Sequence, residues 1–439
     1  MQIYRLHNIN IKSLLLISIL LKLTIFYLFI YFNETPFKYE YDYQELIDNF
    51  YVKDLNFNLS LGHERLPLYQ IFLFFVYSLF KSKILISLTQ IILSTFNLLI
   101  IYKIGKLFNK EFALILVSVA VFNPGYNLFS FILVADFLFL LFSLIFIYYF
   151  CKFLIKFKLR YATIAFIVLG LMSLTKPIII YFPFFLTIFL IFFQKQNKIK
   201  TIILLLSIFY LINGSWILRN SITYGDTFYT SQDKTNIINW YLPLIEQEDK
   251  KIDLDQAKKN INDNWIKFKI ISPRSSDISE WLHNNNISKN FFFNQVQNYS
   301  FITILKSWSY GSIKTLFLPY FFEYKQYFEI KKNIKFSTIS GGSFIDKITN
   351  YISNLKFDTY YTILLISLIT TFFFRYVELI NFFNFFNQYK KIYFFFLVYA
   401  FYFLIIAGPI GSARYRLPLE ILFIFSFSNW IYSYKINRK

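Results

Sequence analysis

Runs of about 20 apolar residues, the length that crosses a bilayer core, recur along this chain and constrain its fold more than any other feature. The first is SLLLISILLKLTIFYLFIYF, Ser13–Phe32. Hydrophobic residues make up 56% of the 439 positions, with 59 Phe and 35 Tyr, where a soluble domain averages about 45–50%. A polytopic, all-α membrane protein follows. Ser13–Phe32 is too long for a signal peptide and lacks a small-residue cleavage site, so it reads as an uncleaved first helix. Lys22, mid-span, reads as a snorkelling or partly hydrated lysine. The single Cys151 excludes an internal disulfide framework and a Cys-rich metal site.

Nine further spans are expected: Ile84–Tyr102, Phe112–Phe122, Ile132–Phe150, Tyr161–Leu174, Ile178–Phe193, Thr201–Leu218, Thr359–Phe374, Ile392–Ile410 and Pro418–Tyr434. About ten transmembrane helices put both termini on one side. The loops of that side carry Lys103, Lys106 and Lys110, then Lys152, Lys156, Lys158 and Arg160, then Lys195, Lys198 and Lys200. Arg375, Lys390 and Lys391 join them, and Glu111 and Glu378 are the carboxylates there. The positive-inside rule makes this side, and both termini, cytoplasmic. The net charge of +20 is thereby an orientation signal spread over short loops, and it implies no nucleic-acid partner. PLYQIFLFFVYSLF, Pro67–Phe80, is apolar but short, and spanning with it would invert every later loop. It is expected to lie in or dip into the outer membrane surface.

The expected organisation is an N-terminal transmembrane catalytic module (1–218) with an outer loop at 33–82 containing short interfacial helices. A longer extracytoplasmic region (219–358) and the C-terminal helices (359–439) follow. The outer side collects the unusual polar residues. Glu40 and Asp42 lie in YEYDYQELIDNF, Arg65 in HERLPLY, Asp136 at the end of NPGYNLFSFILVAD, Lys176 in LTKP, and Arg219 in WILRNSITYGDTF. Arg414, Tyr415 and Arg416 stand in GPIGSARYRLPLE, between two apolar runs. Each has a bland explanation as a headgroup anchor or a solvated loop charge. Together they place carboxylates and several cations at one water–lipid interface, as a reaction on a lipid phosphate requires.

The order of these pieces resembles the multi-spanning glycosyltransferases of the GT-C fold that use lipid-phosphate-linked sugars. The protein O-mannosyltransferase and aminoarabinose-transferase branch is the most similar. The matching residues are Tyr43 to Leu46, then Arg65, Pro67 and Tyr69, with Leu66 where the family has a proline. Asp136, Leu174 to Pro177, Arg219 with Asn220 and Gly225, and Arg414 to Pro418 follow in order. The resemblance implies transfer of a hexosyl or pentosyl group, with inversion, from a polyprenyl-phosphate sugar to a glycan, lipid or protein acceptor. The active site would be extracytoplasmic, in a bacterial inner or plasma membrane. The family's catalytic Asp falls at Tyr39 here, so Asp42 or Glu40 is the implied base, Asp42 being the family's residue type. Asp136 would orient the acceptor or a cation.

Such a transfer needs a carboxylate to take the acceptor's proton and cations to stabilise charge on the departing phosphate. Arg414 and Arg416, read as flanking an extended turn with both guanidiniums aimed at one anion, are the expected phosphate ligands. Arg65, Lys176, Arg219 and Tyr415 are further donor-binding candidates. No Asp-x-Asp pair stands beside Asp136, which leaves use of a divalent metal open. A transporter or flippase of a lipid-linked saccharide is the rival reading. It calls for charged or broken helices at the membrane midplane.

Overall fold

The computed structural model describes residues 10–33, 64–193, 198–274, 279–328, 349–350, 359–386 and 389–436, and the regular elements among them are helical. The first half holds α1 (Ile11–Phe32), α2 (Pro67–Phe80), α3 (Lys83–Gly105), α4 (Lys110–Val121), the short α5 (Pro124–Leu128), α6 (Asp136–Lys156), α7 (Leu159–Ser173), α8 (Phe182–Phe193) and α9 (Lys198–Tyr224). A polar stretch follows as α10 (Asp233–Asn236), α11 (Leu242–Lys250), α12 (Leu254–Ile271) and α13 (Glu280–Val296), with α14 (Phe301–Phe317) and α15 (Phe321–Tyr327) after it. The chain closes with α16 (Thr359–Phe386), α17 (Lys390–Ala407), a 3-10 turn at Ala413–Leu419 and α18 (Glu420–Ile436).

Each expected span contains a helix. Six are long and apolar enough to cross a membrane by themselves: Ile11–Phe32, Lys83–Gly105, Asp136–Lys156, Lys198–Tyr224, Thr362–Phe382 and Lys390–Ala407. This is an all-α polytopic membrane protein. α4 stops after 12 residues. Asn123 turns to accept the Tyr126 N–H and cap α5, and Pro124 brings no N–H to continue a helix. α6 starts at Asp136 rather than near Ile132, and the turn ahead of it is tied to α3. Ser87 Oγ donates to Phe131 O at 2.7 Å and Gln90 Nε2 to Ile132 O at 2.8 Å. α2 is an independent helix. It buries Tyr69, Leu73 and Val76 while Phe75 and Leu79 stay exposed.

Large side chains fill the interior between α6, α8 and α17. Phe146, Phe150, Phe182, Phe395 and Tyr399 interlock at centroid separations of 4.5–6.1 Å, the offset and edge-on contacts that aromatic quadrupoles favour. Lys22, expected to snorkel or hydrate, is instead buried against α3 and donates to Ser94 Oγ at 2.8 Å. α10 to α13 enclose a small core of their own, Ile238, Leu242, Ile261, Trp265 and Phe291.

The loops sort to two ends. At one end Lys435 pairs with Glu111 at 3.3 Å, Lys391 lies 4.0 Å from the centroid of Phe157, and Tyr389 meets Phe108. Arg375 and Glu378 do not belong to that end, contrary to expectation. Arg375 Nη2 lies 3.2 Å from Glu420 Oε2 and its Nη1 2.9 Å from Glu378 Oε2. Glu420 opens α18 and so stands a helix length from Lys435. The cause is the length of α16, whose 28 residues continue through Arg375 instead of stopping at Phe374.

At the other end α14 crosses the turn after α17 backbone to backbone. A Cβ on Gly311 would lie 2.0 Å from Gly408 O, and one on Gly411 2.1 Å from Gly311 O. Gly408 and Gly411 also have φ of +60° and +48°, which L side chains adopt at a cost. Gly311→Ala is therefore expected to destabilise the protein by about 1–3 kcal/mol through overpacking. Gly214→Ala, in mid-helix with open space around it, should raise stability by about 0.5–1 kcal/mol. Melting curves of the two variants in one detergent decide it. Equal shifts would show that the crossing is not close-packed.

Candidate active site

Asp136 organises this end of the bundle. It is the first residue of α6 and only 1% exposed. Its position is set from α2 and α3, since the Tyr69 hydroxyl donates to Gln90 Oε1 at 2.7 Å while Gln90 holds Ile132 O. Both carboxylate oxygens accept from cations. Lys176 Nζ lies 2.6 Å from Oδ1, and Arg414 gives Nη2 at 2.6 Å and Nε at 3.0 Å to Oδ2. Such charge-assisted contacts are what a buried carboxylate needs.

Each cation is carried by a fixed backbone. The Lys176 corner after α7 is pinned by Leu68 N–H donating to Leu174 O at 3.1 Å, and on its far side the Tyr402 hydroxyl donates to Ile178 O. Arg65 precedes α2, and its carbonyl accepts from Gln70 Nε2 at 2.7 Å. It lies within electrostatic reach of Arg414, Asp136 and Tyr415. Arg414 stands in the 3-10 turn, its own N–H donating to Glu323 Oε1 at 3.2 Å. Burial draws Lys176 down to about 8, with Asp136 opposing and Arg414 reinforcing the shift. Burial first, then Arg414, lowers Arg65 to about 10. Burial raises the Glu323 carboxyl from its ordinary value and raises the Tyr415 hydroxyl. Arg65, Lys176 and Arg414 thus come together with the carboxylates of Asp136 and Glu323. A cluster of cations such as this one attracts anions.

The other predicted residues fall differently. Arg416 is turned away from Asp136. Its Nε meets Glu420 Oε1 at 2.6 Å and its Nη1 donates to the carbonyls of Thr315, Leu316 and Leu318 at 2.8–3.0 Å. It closes the C-terminus of α14, whose last carbonyls have no helical partners. The expected common aim of Arg414 and Arg416 fails because Ala413–Leu419 is a 3-10 turn, not an extended segment. Arg219 lies over Trp216 at 4.9 Å and Tyr224 at 5.3 Å on its own helix, and Trp216 packs with Leu66 and Leu174 beside the site. Asp42 and Glu40 lie outside the described residues. Among the described residues no group of three or more His, Cys, Asp or Glu side chains converges as a metal site would, and Asp136 has both oxygens occupied by cations.

Sequence reasoning missed Glu323 and the Glu420 network. Glu323 meets Arg414 across 91 positions and Arg375 meets Glu420 across 45, whereas the i,i+4 spacing of Arg416 and Glu420 was a local signal that went unread. Tyr69 was legible within its motif, though not as the clamp on Gln90.

This assembly is that of a membrane protein similar to the GT-C glycosyltransferases. Residues 64–216 match the family model described as dolichyl-phosphate-mannose-protein mannosyltransferase, a stretch that contains Arg65, Asp136 and Lys176 and ends before Arg219. Among solved structures, the archaeal oligosaccharyltransferase AglB from Archaeoglobus fulgidus, in complex with an inhibitory peptide and a dolichol-phosphate, is similar at 13% identity and a TM-score of 0.42. That similarity covers 84% of this chain and 42% of the AglB chain. No curated protein matches the chain.

Removing the Arg416 side chain would leave Glu420 short of a partner and three carbonyls uncapped. Arg416→Ala is expected to cost about 3–5 kcal/mol, as for one member of a buried ion pair, and Arg416→Lys to recover part of it. Differential melting in detergent measures this. Wild-type melting of the Ala variant would contradict the capping role.

Proposed function

We propose that this protein transfers a sugar from a polyprenyl-phosphate-linked donor to a glycan, lipid or protein acceptor at the extracytoplasmic face of the membrane. One observation carries the reading. Cations from three distant segments, Arg65, Lys176 and Arg414, gather around Asp136 at one end of a membrane bundle, and the family match spans two of those segments. A phosphodiester donor carries one negative charge, and the phosphate released carries up to two. Cations held at that place bind the leaving group more tightly than the ground state, which is what lowers a barrier.

The reaction is a single displacement. The acceptor oxygen attacks the anomeric carbon, the bond from that carbon to the phosphate oxygen breaks, and the electron pair leaves with the phosphate. Asp42, with Glu40 as the alternative, takes the acceptor proton. Asp136 is a positioning residue that holds Lys176 and Arg414 ready, and Arg416 has a structural task. Both termini are cytoplasmic in this reading, and α10 to α13 face the acceptor.

Asp42→Asn should keep the fold and donor binding yet lose transfer, since an amide cannot accept the proton. Loss in Glu40→Gln with normal turnover in Asp42→Asn would move the base to Glu40, and full activity in both would end the transferase reading. Arg414→Ala should weaken binding of a polyprenyl-phosphate sugar by about 10- to 150-fold, from the 1.5–3 kcal/mol of a charge-assisted bond.

The pH dependence follows from Lys176, which is protonated below about 8 and neutral above it. Donor affinity should fall as pH rises through that value. Lys176→Arg, which keeps its charge, should flatten the curve between pH 7 and roughly 9.5. An unchanged fall in the Arg variant would show that another group titrates.

A further inference from the structure

We propose that the C-terminal turn of α12 is a membrane-surface anchor that takes the acidic phospholipids around the outer end of α9. One face of this helix, Ala257, Ile261 and Trp265, is buried in the small core of the polar region. The last turn is apolar on its other side as well. Ile270 and Ile271 are 76% and 75% exposed, and Ile266 is half exposed. A charged, water-facing module gains nothing by displaying adjacent isoleucines to solvent. Basic residues border them, with Lys267 and Arg274 exposed and Lys269 shared with Glu280 at 3.3 Å.

The position of this turn names its occupant. Ser272, directly after α12, has its carbonyl 2.9 Å from a ring nitrogen of His283. Trp281, two residues earlier in α13, meets Tyr224 and Phe228 edge-on at 5.4 Å and 5.5 Å. Tyr224 is the last residue of α9, and Asn286 further ties α13 to Asp226 at 2.6 Å. The exposed apolar side of α9, Ile203, Leu211, Leu218 and Ile222, is the side a membrane-crossing helix turns to lipid, and it reaches up to Ile222, which is 77% exposed. The last turn of α12 is thereby tied to the end of α9 where that apolar side finishes. Isoleucines enter the boundary between headgroups and chains, and Lys267 and Arg274 remain among the phosphates. Anionic lipids complement those cations. The anchor does not depend on the transfer reaction.

The test uses the full-length protein with Cys151→Ala, carrying one fluorophore on Ile270→Cys or, as a control near the other end of α12, on Asp255→Cys. Each is reconstituted in nanodiscs of phosphatidylcholine, with or without phosphatidylglycerol, containing headgroup spin-labelled lipid. The label at 270 should be quenched several-fold more strongly than the label at 255, and phosphatidylglycerol should increase that quenching. Adding Lys267→Glu and Arg274→Glu should abolish the phosphatidylglycerol increment while leaving melting unchanged. Equal quenching at the two positions overturns the proposal. So does a label at 270 that is shielded from aqueous iodide yet not quenched by lipid, which would assign the face to a protein partner.

Discussion

The end of this bundle that holds Asp136 depends on neutralising one buried carboxylate. A lone Asp at the depth of Asp136 would cost several kcal/mol, and it cannot move to water because it opens α6, whose start is held from α3. The chain therefore brings Lys176 from the α7 corner and Arg414 from the turn before α18 to meet it. Those contacts fix the spacing of α6, α7 and α18 at this end. The fold and the candidate site are in this sense one interaction, since the charges that would act on a phosphate also register the helices.

A second ionic network lies close by and behaves differently. Arg416 and Arg375 face Glu420 and Glu378, with Asn123 donating to Glu420 at 2.9 Å. Its charges balance and Arg416 is almost wholly buried, so it offers no surplus attraction to a ligand. Around Asp136 the cations are more accessible, and Arg414 is about a third exposed. Burial against access separates a structural network from a binding one better than residue type does. Both contain arginines from the same short motif.

Much of this was legible in the sequence, for identifiable reasons. Apolar run length is a local property, and each expected span holds a helix. The convergence of Arg65, Asp136, Lys176 and Arg414 followed from putting their loops on one side, which alternating spans dictate. What escaped is non-local. The turn before α6 is tied to Ser87 and Gln90 of α3, and the extra length of α16 removed Arg375 from the basic end. Glu323 became visible only when α15 packed against the 3-10 turn. Lys22 escaped because its burial depends on the face α1 turns to Ser94.

The 3-10 turn also explains how three consecutive side chains can take different tasks. At three residues per turn, neighbours project about 120° apart, where an extended strand would have aimed Arg414 and Arg416 alike. Arg414 goes to Asp136, Arg416 to the end of α14, and Tyr415 takes the remaining direction, within electrostatic reach of Arg65, Asp136 and Tyr241. On the proposed reaction the cations read only the phosphate, which every polyprenyl-phosphate sugar shares. Discrimination among sugars requires groups that hydrogen-bond hydroxyls and lie flat against ring carbons, and a tyrosine offers both. Gly408 and Gly411, by admitting the close backbone crossing of α14, hold the turn in the geometry that keeps those three directions apart.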